Sequence, residues 1–318
     1  MNKLKSFAKR NFNLFIVLAL VVLFTLISGK KFFSVTNLIT VMRQAALLGM
    51  TATGMMLMML TGNTDLSLGG VVSLTSILFA QLISKDYYDM NPVLAIIIVL
   101  LLGLFIGWVK GFMITKTKMN AMIATFGFAT VLKGITYLLC QSRTIGSLND
   151  SLVFLGQGYI GPIPMPVVIC ICVMIIIAFV CKKTYLGRYM AATGSNSEAA
   201  RLSGINTERV VQIAFALGTL CASIAAVVLT YRVKSGQPNC GDPYQMNNLV
   251  ACTVGGISFG FGGQGGVKNV IYGILIVGII TNGMTVMGLS AYWQYVMQGS
   301  ILIFAVAIDY IQRNRGKG

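Results

Sequence analysis

Long apolar runs separated by short polar or basic stretches set the rhythm of this chain from about residue 13 to residue 308. A helix that crosses a bilayer takes roughly 17–25 mainly apolar residues. Ten stretches read as spans: residues 13–28, 45–60, 66–83, 93–109, 119–140, 167–181, 210–230, 247–259, 270–287 and 292–308. The eighth is short and rich in glycine, so its limits are the least defined. Residues 33–44, which hold Arg43, read as an interfacial helix leading into the second span. The first run could open a signal peptide, but no small-x-small cleavage site follows and hydrophobic spans continue to the end, so it reads as an anchor. The expectation is an all-α integral membrane protein, one domain over residues 1–318, with about ten transmembrane helices. Five spans per half give residues 13–140 and 163–310 opposite orientations, the inverted-repeat plan common in transporters.

Composition agrees with the pattern. Of 318 residues, 56% are hydrophobic and 10% are charged, whereas a soluble domain carries about 25% charged residues. The formal net charge is +16, which in another setting would suggest nucleic acid. Here the basic residues sit in short groups between apolar runs, as they do where a membrane protein marks its cytoplasmic side, rather than on one solvated face. With the N-terminus inside, the inner segments hold Lys3, Lys5, Lys9 and Arg10, then Lys110, Lys116 and Lys118, then Lys182, Lys183, Arg188, Arg201 and Arg209. Lys268, Arg313, Arg315 and Lys317 complete the inner set, against Lys30, Lys31, Lys85, Arg143, Arg232 and Lys234 outside. That bias puts both termini in the cytoplasm.

There is no histidine, which removes Ser-His and Cys-His nucleophiles and His-ligated metals. The seven cysteines show no zinc spacing and mostly lie inside apolar runs, with Cys240 in an outer loop. No metal site is expected.

Two polar stretches break the apolar pattern: residues 61–70 (TGNTDLSLGG) and 255–266 (GGISFGFGGQGG). Glycine there permits close helix packing or a broken helix that exposes backbone to a solute. Asp65 is one of eight acidic residues and has no base nearby in sequence. Its first reading is an N-cap of the third span, with solute contact second. Asp309 reads as structural. The 260–265 stretch matches G-x-G-x-x-G, but no strand precedes it and no acid follows about 20 positions on. Nor does the chain contain a Walker A sequence, so an ATP-driven transporter of this kind takes its ATPase from another chain. Asn63, Asp65, Ser67, Thr125, Asn282, Tyr292, Trp293, Gln294 and Gln298 are polar or amphipathic residues in apolar surroundings and are candidates for a translocation path. Tyr292 and Trp293 serve equally as interfacial anchors.

The longest inner loop, residues 182–209, holds a short helix that Ser195 or Asn196 can cap and Gly204 can end. It can lie on the membrane surface or enter a partner's groove. Glu198-Ala199-Ala200 followed by Gly204 resembles the EAA loop of ABC importer permeases. The surrounding G-R-x-x-x-A-x-G-x-N-x-E-A-A-R-L-S-G-I-N resembles the branch that imports ribose and related monosaccharides. So do residues 61–70, 118–134, 254–266 and 282–309, in order along nearly the whole chain. The I-x-L-P ending of other EAA branches is absent after Gly204. The resemblance implies that Gly187, Arg188, Gly194, Asn196, Glu198, Ala199, Ala200, Arg201, Leu202 and Gly204 couple the chain to an ATPase subunit. It also implies no cofactor on this chain, with ATP and magnesium on the ATPase. An extracytoplasmic sugar-binding protein, a second permease copy and membrane lipid would be the other partners, in the bacterial cytoplasmic membrane. The chain itself would perform no covalent chemistry. The rival reading is an ion-coupled secondary carrier, which needs titratable groups within the membrane; Asp65 is the one candidate carboxylate.

Overall fold

The computed structural model describes residues 12–315. Lys3, Lys5, Lys9, Arg10 and Lys317 of the charge map lie outside the described residues, as do the side chains of Lys30, Asp309, Arg313 and Arg315. Thirteen α-helices make up the described chain. The first five are α1 (Phe12–Ser28), α2 (Val35–Leu60), α3 (Leu68–Ile83), α4 (Pro92–Thr117) and α5 (Ala121–Cys140). After a hairpin of β1 (Tyr159–Ile160) and β2 (Ile163–Pro164), preceded by the single-turn α6 (Phe154–Gln157), comes α7 (Met165–Lys183). Two short helices follow, α8 (Tyr185–Ser195) and α9 (Ser197–Leu202). The chain ends with α10 (Thr207–Val233), α11 (Asp242–Val254), α12 (Val267–Val286) and α13 (Ala291–Arg315).

Five of these, α4, α5, α7, α10 and α12, are long and apolar enough to cross a membrane; α1 and α3 are apolar but shorter. Local sequence sets many of the ends. Ser34, Asn91, Asn120 and Asn206 accept hydrogen bonds from the first free N–H groups of α2, α4, α5 and α10, which those groups need. Lys118, Gln141 and Lys234 close α4, α5 and α10 in the left-handed conformation.

Two expectations are corrected. Residues 33–44 form no separate interfacial helix: Val35–Leu60 is one unbroken helix of 26 residues, because nothing between Gln44 and Ala45 interrupts the backbone bonding. The helix expected at residues 247–259 runs instead from Asp242 to Val254, only 13 residues. Pro243 suits the first turn of a helix, and the glycines from Gly255 onward end it.

The core forms around α10, which packs on α2, α3 and α4. Helices in lipid gain little from apolar transfer, so close backbone approach across small residues carries the packing. Gly103, Gly107 and Gly111, spaced at every fourth position of α4, face Ser223, Phe215 and Gln212 of α10. Gly54 of α2 meets Gly218 of α10, where an added Cβ would stand 2.3 Å from the Gly218 carbonyl oxygen. Away from α10, large apolar side chains of α4, α5 and α7 are exposed, among them Ile123, Leu138 and Phe179, the pattern of a lipid-facing surface.

Candidate functional site

The residues 185–206 fold into a compact turn unit. Asn196 Oδ1 accepts from the Ala199 N–H at 2.9 Å and so caps α9. At the other end Gly204, at φ +85°, lets its own N–H reach the Arg201 carbonyl and the Ile205 N–H reach that of Ala200, both near 3 Å. This is a Schellman closure, and a left-handed residue there favours glycine. Ala200 faces inward, whereas Leu202 is 79% exposed. Glu198 and Arg201 form a 2.6 Å ion pair on the outer face, each 66% exposed. The Arg201 guanidinium holds the Glu198 carboxyl below its usual range.

The ten residues grouped by resemblance thus divide by position. Arg188, Glu198, Ala199, Arg201 and Leu202 lie on the surface. Asn196 and Gly204 set the ends of α9, and Ala200 anchors it. Gly187 sits where a Cβ would stand 2.1 Å from the Cys181 carbonyl oxygen, permitting the turn from α7 into α8.

Gly194 lies at a three-way junction. A Cβ on it would meet the Leu60 carbonyl oxygen at 2.0 Å and Gly263 N at 2.6 Å. Gly62 and Gly262 close the same contact, and the Gly263 N–H donates to the Leu60 carbonyl at 2.9 Å. Both glycine-rich interruptions are therefore gathered against the end of α8. Glycine content hinted at close packing, but no sequence signal joins positions near 62, 194 and 262.

Asp65 is not the N-cap of α3: Ser67 holds that position. Asp65 Oδ1 accepts from both the N–H and the hydroxyl of Ser67, while Oδ2 accepts from Lys110 Nζ at 2.5 Å. Lys110 also donates to Ser67 Oγ at 2.8 Å. Lys110, assigned to an inner segment by the charge map, is fully buried in α4. Thr125, also fully buried, accepts from the Leu66 N–H at 3.0 Å. Asp65, Ser67 and Lys110 therefore form a buried, mutually bonded polar cluster, and Thr125 holds the backbone between Asp65 and Ser67. Asn282 is likewise engaged: its amide and that of Asn37 exchange two hydrogen bonds of 2.8 and 2.9 Å. Trp293 is 55% exposed.

Among the described residues, three cavities are large enough to weigh. One of about 570 Å³ beside α9 is lined by Asn63, Lys118, Glu198, Arg201 and Glu208. A mostly apolar one of about 530 Å³ lies between α7 and α12. The third, about 320 Å³, is lined by Gln44, Arg232, Tyr244, Asn247, Gln294 and Gln298 among others. Gln294 and Gln298 were foreseen; Gln44, Arg232, Tyr244 and Asn247 were not, since they come from three separate helices. Among the described residues, no three Cys, Asp or Glu side chains converge.

Residues 37–306 match the family model described as branched-chain amino acid transport system, permease component. The ribose import permease protein RbsC of Haemophilus influenzae is 33% identical over 92% of this chain and 91% of that protein. The fructose import permease protein FrcC of Rhizobium meliloti is 31% identical over 92% of this chain and 83% of its own length. The L-arabinose transport system permease protein AraH of Escherichia coli is 32% identical over 82% and 78%, respectively. No solved structure matches the chain.

Proposed function

The chain belongs to this family of transport-system permease components, and from that premise we propose that it is the membrane subunit of a bacterial ABC importer for a monosaccharide. Its similarity to permeases named for ribose, fructose and L-arabinose supports the sugar class. We assign it ten spans, α1–α5, α7 and α10–α13, with both termini cytoplasmic and the two halves inverted. The bias of basic residues supports that orientation.

The observation that carries the reading is α9. It is exposed on one face, capped at both ends, and fastened through Gly194 to both glycine-rich interruptions. A rigid knob of that kind suits a groove on a separate ATPase subunit. Displacing it would act on the ends of α2, α3 and α11 together. ATP binding and hydrolysis on the partner would then shift the permease between outward-open and inward-open states, by favouring one arrangement over the other. An extracytoplasmic binding protein would deliver the sugar, and a second copy of this chain would complete the path.

An ion-coupled carrier is less well supported, because the buried Asp65 is already neutralised by Lys110. The test is Leu202→Asp in the complex reconstituted with its ATPase and binding protein. Membrane abundance should hold, since Leu202 is exposed, while uptake and binding-protein-stimulated ATP hydrolysis fall together. Full uptake in that variant, or uptake that persists without the ATPase, would overturn the coupling role.

A further inference from the structure

Helix α11 begins in the interior of the bundle. It has only 13 residues, about 20 Å of rise, against a hydrocarbon core of about 30 Å. Its N-cap, Gly241, lies against Gly69 in the first turn of α3, where a Cβ on Gly241 would meet the Gly69 carbonyl oxygen at 1.9 Å. Its first residue, Asp242, pairs with Lys133, just past the middle of α5. The irregular backbone before it therefore enters the bundle, an arrangement membrane proteins tolerate where such backbone is buried in protein or lines a cavity.

The 320 Å³ cavity adjoins the first two turns of α11 through Pro243, Tyr244 and Asn247. Asn247 lines it and is 9% exposed, and its Oδ1 is buried without a hydrogen-bond partner. Buried amide oxygens are almost always satisfied, so this one marks a place for a ligand's donor. Gln44, Gln294, Gln298, Tyr244 and Arg232 also line the cavity, with the Gln294 amide donating to Thr285 Oγ1 at 3.2 Å. Gln44 is 16 residues before Leu60 on the same helix, so the cavity is separated from the coupling junction by about 24 Å.

We infer that this cavity is the permease's own solute site, and that it takes one neutral, polyhydroxylated ring. Amide and phenol groups both donate and accept, as vicinal hydroxyls require. No carboxylate lines the cavity and Arg232 is its one charged group, while the unpartnered Asn247 Oδ1 is an acceptor that a hydroxyl satisfies and an anion does not. A volume of about 320 Å³ is at the small end of ligand pockets, roughly 300–1,000 Å³, which suits a monosaccharide. The inference rests on the importer reading and adds the residues that hold the solute.

The probes are D-ribose, D-fructose and L-arabinose, with D-gluconate as the anion. Saturation-transfer NMR on the full chain in nanodiscs reports binding directly, and uptake by the assembled importer is measured separately. At least one neutral sugar should receive saturation from the wild type and compete better than D-gluconate. Asn247→Leu should weaken that binding roughly tenfold, the scale of one lost buried hydrogen bond. Gln298→Leu, on a partly exposed face of α13, should act in the same direction where Asn247→Leu accumulates poorly. Unchanged binding in the two variants, no transfer from any neutral sugar, or a preference for D-gluconate would overturn the site. Loss of ATPase-dependent uptake in the wild type would instead overturn the importer reading.

Discussion

Lys110 Nζ donates to Asp65 Oδ2 at 2.5 Å, and neither side chain has any exposure. A buried pair of this kind contributes little net stability against an apolar replacement, but removing one partner strands a charge at about 3–5 kcal/mol. Asp65→Asn should therefore lower folded yield and thermal stability sharply. The double variant Asp65→Asn with Lys110→Met should recover most of the loss. Size-exclusion profiles and melting in detergent check both, and a well-folded single variant with failed uptake would instead place Asp65 on the path.

The reciprocal amides of Asn37 and Asn282 give a second such contrast. Asn282→Leu leaves Asn37 with an unmet hydrogen-bonding group, at a cost of about 1–3 kcal/mol. Replacing both by leucine should be milder than the single change. Additive losses in the thermal melts would show that the two side chains act independently.

The junction at Gly194 should tolerate no Cβ. Gly194→Ala pushes against backbone from Leu60, Gly262 and Gly263, and overpacking of this sort costs about 1–3 kcal/mol. Gly127, in α5 with nothing within 4 Å of an added Cβ, is the control. There an alanine should leave stability unchanged or raise it by up to about 1 kcal/mol. Equal melting shifts for the two variants would count against the junction.

Asn196→Ala should cost about 1 kcal/mol of helix stability, and Asn196→Asp should restore the cap. In the assembled importer, uptake should fall in the first variant and return in the second. A fall of equal size in both would point to contact through the amide rather than to capping.

The Glu198–Arg201 pair has a defined pH signature. Because Arg201 lowers the Glu198 carboxyl below its usual range, the pair's contribution is complete above the unfolded carboxyl's range. It is lost only as pH falls through the lower folded value. The difference in melting between the wild type and Glu198→Gln should thus be constant from about pH 6 to 8. Both groups are exposed, so added salt should shrink that difference.

Features that depend on neighbours in sequence were legible without coordinates. Apolar runs gave the membrane class and most helices, because a span is a local property of about twenty residues. Asn196 and Gly204 bounded α9 for the same reason: a cap bonds within three or four positions. The continuity of α2 through Gln44 and the shift of α11 to Asp242 were misread where apolar content thinned while helical bonding continued. What brings distant positions together left no trace along the chain. Lys110 looked like a cytoplasmic charge until packing buried it on Asp65, 45 positions away, and Asn282 found Asn37 across 245. The cavity around Asn247 and the glycine junction at Gly194 are likewise products of helix packing, since each draws its members from helices whose order in sequence says nothing of their contact.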